Sequence, residues 1–73
     1  MISKEFTVIL DALSGYAGMI RDDTIDDTGR LKLATISEDI ISAYHARRLN
    51  RPEYEALNGV YFYLIDSNKK LYD

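Results

Sequence analysis

Four aspartates at positions 22, 23, 26 and 27, one histidine at 45, and three arginines at 47, 48 and 51 are the residues of this 73-residue chain whose types and spacing could do chemistry. Clustered carboxylates are the oxygen ligands of hard cations such as calcium. The spacing does not suit that use: counted from Asp22, Asp27 stands where a calcium loop needs glycine, and Leu33 stands where it needs its last glutamate. "RDDTIDDTG" therefore reads as a solvated, helix-capping acidic connection, and no metal site is expected. The absence of cysteine removes disulfides and thiolate metal sites as well.

General acid–base or nucleophilic catalysis needs a base set against a nucleophile and a third group to orient it. His45 lies between Tyr44 and a basic run, the composition of a helix C-terminus, where cations meet the negative end of the helix dipole. With no glycine-rich phosphate loop beside it, the sequence predicts no catalytic residue and no cofactor, hence no enzyme. The arginines could instead meet phosphate, in a helix-turn-helix arrangement. Against that, the would-be reading helix carries "YEALNGVYFYLI", with no lysine or arginine before Lys69, and the net charge is −3. Nucleic acid is thus the unfavoured partner, and a protein with a basic surface the favoured one.

Three helices must position these residues. Ser3 can cap the first, and Phe6, Ile9, Leu13, Tyr16 and Ile20 then recur at spacings of three and four, widened by Leu10 and Ala17, which predicts a helix from Ser3 to Arg21. "FTVIL" alone could be a strand, but the periodic pattern continues past it. After the acidic connection, with Asp26, Asp27 or Thr28 as cap, Leu33, Ile36, Ile40, Ile41 and Tyr44 mark a second helix. It starts near Thr28, or near Thr35 if Thr35 and Glu38 form a capping box and "RLKLA" is extended; His45, Arg47 and Arg48 occupy its last turns and Asn50 ends it. Pro52 suits the first position of a third helix, with Glu53 and Glu55 in the first turn and Leu57, Val60, Tyr61, Leu64 and Leu71 as its core stripe. The expected fold is all-α, a small three-helix bundle over 1–73 as one domain; the alternative is a small α+β fold with 59–65 as a strand.

Apolar residues make up 47% of the chain and charged residues 29%, the balance of a folded globule. The start, "MISKEF", has no basic segment followed by an apolar run, and no apolar stretch is long enough to span a bilayer, which points to a cytoplasmic protein without membrane contact. A core this small is marginal without a staple or a partner, so self-association is expected.

Two surfaces are singled out. Phe62 and Tyr63 point away from the stripe of the third helix, which makes "VYFYLI" apolar nearly all round and marks a homodimer interface; otherwise they would pack on flanking loops or on the N-terminal residues. In "ALSGYAGMI", Gly15 and Gly18 each cost about 1 kcal/mol relative to alanine. Asp11, Gly15, Gly18 and Asp22 form one strip, bordered by Val8, Ala12 and Met19 and turned away from Phe6, Leu13 and Ile20. A smooth strip with acidic ends would admit a basic partner; the competing reading is a kink or a close crossing inside the bundle.

The resulting expectation is a non-enzymatic intracellular protein that binds and regulates or inhibits a larger protein, as a homodimer. Its size and acidity are those of inhibitors and adaptors, including those of phages and mobile elements. The alternatives are a DNA-binding or antirepressor-type transcription regulator and a small structural subunit of a larger assembly.

Overall fold

The Ser3 hydroxyl accepts the Phe6 amide at 3.1 Å, and helix α1 accordingly begins at Lys4 and runs to Arg21. This computed structural model describes residues 2–72, with side-chain surroundings for residues 2–67. Helix α2 spans Asp27–His45, capped by Asp26, whose carboxylate accepts the Gly29 amide at 2.7 Å. Helix α3 spans Arg51–Tyr72. Asn50 and Glu53 cap it reciprocally: the Asn50 side-chain oxygen accepts the Glu53 amide at 2.8 Å, and the Glu53 carboxylate accepts the Asn50 amide at 3.0 Å. Residues 59–65 are helical, so the α+β alternative is set aside, and no strand occurs among the described residues.

Several boundaries differ from expectation. The late start of α2 at Thr35 does not occur: "RLKLA" is helical, and the Thr35 hydroxyl donates to the Lys32 carbonyl at 2.7 Å instead of capping. Pro52 is the second residue of α3, since Arg51 takes the first position. At its other end α2 stops at His45, leaving Arg47 and Arg48 outside the last turns assigned to them and Asn50 well beyond the end. The cause is a left-handed residue. Asp23 and Arg47 have φ of 57° and 61°, and each follows the C-cap of its helix. There the amides of Thr24 and Arg48 turn back onto the carbonyls of Met19 and Ala43, closing α1 and α2 with the same pattern of bonds. Neither position is glycine or asparagine, so the usual signal for that ending is missing from the sequence.

Each helix packs on the other two. The first turn of α1 lies by the first turn of α3, through Ser3 and Glu53, while Tyr44 near the end of α2 stacks on Tyr54 near the start of α3, with ring centroids 4.2 Å apart. The order is therefore up, down, up. Ile9, Leu13, Ile20, Leu33, Ile36, Ile40, Leu57, Tyr61 and Leu64 form the core, as their spacing predicts, and Ala43 joins them. Ile25 and Leu49 are buried too, one in each connection directly after the left-handed turn. Two stripe members fall at the margin: Ile41 is 44% and Val60 36% exposed, each at the edge of its helix's buried face. Leu71 lies outside the described side chains.

Candidate protein-binding surfaces

On the outer side of α1, Asp11, Gly15 and Met19 come together with Ala12 and Tyr16 around one open depression of about 240 Å³. Gly15 makes its hollow: a Cβ added there would meet nothing within 4 Å. No helix of the bundle crosses at that point, which overturns the close-crossing reading for Gly15. At Gly18 a Cβ would touch only the end of the Arg21 side chain, at 3.7 Å, an ordinary contact. A second hollow of about 300 Å³ adjoins the first at Tyr16 and Met19 and runs to the start of α2, past Thr24, Asp26 and Lys32. Between them they are lined by α1, the connection after it and α2, and neither is lined by α3. Val8, 55% exposed, extends the apolar border of the first. Asp22 is the C-cap of α1, with its carboxylate 3.4 Å from Arg21; it lies past the end of the hollow and does not line it.

The outer face of α3 is a separate surface. Phe62 and Tyr63 are 64% and 71% exposed, so they do not pack on flanking loops. Tyr63 leans on one side toward a hollow it shares with Ala17, Ile20 and Arg21 of α1. Gly59, one turn before them, faces open space, since a Cβ there would also meet nothing within 4 Å.

Several of the charged groups that suggested chemistry are engaged structurally. Asp26 caps α2, Asp27 pairs with Arg30, and no group of three metal-ligating side chains occurs among the described residues. Arg48 reaches Glu5 of α1 at 3.9 Å, and Arg51 pairs with Glu55 at 3.1 Å.

Glu53 does more than the first-turn acid its position predicts: it is buried and accepts three hydrogen bonds beyond its own helix. The Asn50 and Ser3 amides, followed by the Ser3 hydroxyl, hold its carboxyl below the ordinary value of 4.5 against the opposing cost of burial. The Asn50-x-x-Glu53 spacing carried the signal for its capping role. Its bond to Ser3 had none.

Among the described residues no helix is long and apolar enough to cross a membrane. No protein-family model matches the sequence, and comparison with curated proteins and with solved structures finds no match.

Proposed function

We propose that this is a non-enzymatic binding protein of the cell interior that regulates a larger protein, holding a basic, apolar segment of it in the α1 groove, and that two copies associate through the outer face of α3. The observation that carries the reading is Gly15. A helix-interior glycine costs about 1 kcal/mol, and a Cβ at this one would meet nothing within 4 Å, so no packing inside the bundle requires it. What the missing side chain provides is the hollow itself, floored by Ala12, Tyr16 and Met19. Methionine is the side chain best suited to adapt to an apolar group arriving there. Asp11 and Asp22 bracket the hollow eleven residues apart, about 16 Å along the axis. They favour a partner whose cations flank an apolar stripe of three helical turns, and they disfavour an acidic one.

Selection from a displayed library of amphipathic helical peptides with varied lysine and arginine content tests this. Peptides with an apolar stripe between cations should be enriched, should bind Gly15→Ala, and should fail to bind Gly15→Leu, whose side chain fills the hollow. Equal binding by a correctly folded Gly15→Leu, or enrichment of acidic peptides, would remove the groove from consideration.

A further inference from the structure

We infer that Lys32 sets the specificity of the α1 groove: the helical segment held there carries a carboxylate on the flank it turns to α2, opposite the cation it turns to Asp11. This rests on the groove reading above and adds the charge that the partner's second flank must bear.

The two hollows that meet at Tyr16 and Met19 differ in chemistry. The first is lined by α1 alone, with Ala12, Gly15 and Met19 as its apolar floor and Asp11 at its rim. The second adds Thr24 of the connection and Thr28 and Lys32 of the first turns of α2. Helical phase puts Ala12 and Met19 on one border of the Asp11–Gly15 strip, and Met19 with Tyr16 is what reaches the second hollow, so that border is the one turned to α2. A helix laid over Gly15 therefore has Asp11 on one flank and Lys32 on the other.

Availability decides which charges can select. Lys32 is the one cation among the described residues that line either hollow; it is exposed, and neither it nor Asp11 has an ion-pair partner among the described residues. The charges around them are engaged within the chain. Arg30 pairs with Asp27, Asp22 with Arg21, and Asp26, the carboxylate on the second hollow, accepts the Gly29 amide as the cap of α2. The Thr28 hydroxyl lines the same hollow and has no partner among the described residues either. An arriving carboxylate thus finds an ammonium and a hydroxyl able to donate to it. A lysine arriving there meets a like charge. That matters for a chain of net charge −3, which attracts any polybasic segment: a cation inside the site rejects those that are basic on both flanks.

Three synthetic helical peptides test this, alike in their apolar stripe and in the lysines along one flank, with glutamate, alanine or lysine on the opposite flank. Calorimetric titration into the full chain at low salt, with circular dichroism as the folding control, should give the glutamate peptide about fivefold tighter binding than the lysine peptide, with the alanine peptide between them. Lys32→Glu should reverse that order. Gly15→Leu should bind none of the three. A lysine peptide that binds the unmodified protein as tightly as the glutamate peptide, or an order unchanged by Lys32→Glu, overturns the role of Lys32 and leaves the groove standing. No binding of any peptide to the unmodified chain at about 1 mM, or undiminished binding by a folded Gly15→Leu, overturns the groove and this inference with it.

Discussion

Ser3 and Glu53, fifty residues apart in the chain, meet at one carboxylate oxygen: Glu53 Oε2 accepts the Ser3 amide at 2.9 Å and the Ser3 hydroxyl at 3.0 Å. The same hydroxyl accepts the Phe6 amide to cap α1, and the other oxygen of Glu53 accepts the Asn50 amide to cap α3. One buried carboxylate thus couples the starts of two helices.

The coupling should be visible in acid. The carboxyl of Glu53 is held below 4.5 in the folded chain by its amide donors, so the stability it contributes is complete above the unfolded-state value and is lost as pH falls through the lower, folded-state one. Thermal melts from pH 7 to pH 2.5 should show Glu53→Gln less stable than the unmodified protein at neutral pH, with the gap narrowing below about pH 4 as the native carboxylate becomes protonated. A gap that is constant across the range would mean that the charge on Glu53 contributes nothing.

The glycines divide by what surrounds them. Gly15→Ala and Gly59→Ala each place a methyl group in open space on a helix and should raise stability by about 0.5–1 kcal/mol. Gly29→Ala should not, because its Cβ would lie 3.1 Å from Ile25 Cγ1 and 3.3 Å from the capping Asp26 Oδ1. Urea titration of the three variants, read at the unfolding midpoint, gives the comparison directly.

Arg47 sits in the left-handed region after α2, at φ 61°. Glycine occupies that conformation without the Cβ clash, so Arg47→Gly should stabilise the fold by up to about 1 kcal/mol. A loss of stability in guanidinium melts would show that the arginine side chain contributes more than its backbone strain costs.

Leu57 and Phe62 are apolar neighbours on α3 with opposite surroundings: Leu57 is fully buried and Phe62 is 64% exposed. Truncating the first leaves a cavity in the core, and Leu57→Ala should cost about 2–5 kcal/mol. Phe62→Ala, measured at concentrations too low for association, should stay within about 0.5 kcal/mol. Equilibrium unfolding at 1 µM separates the two, and comparable losses would show that Phe62 is a core residue.

The sequence by itself determined the three helices, the cap at Ser3, and most of the core, because caps and apolar spacing act within a turn or two of chain and leave their mark in residue order. It also placed Asp11, Gly15 and Met19 on the outer side of α1, since a helix of known phase assigns every residue a direction. Where α2 ends lay beyond that logic: Arg47 adopts a conformation its residue type disfavours, and the burial of Leu49 just after it belongs to the packed bundle. The open space beyond Gly15 and the meeting of Ser3 with Glu53 were likewise decided only by the tertiary structure. Each depends on which helices lie near that point, and local spacing carries no record of distant neighbours.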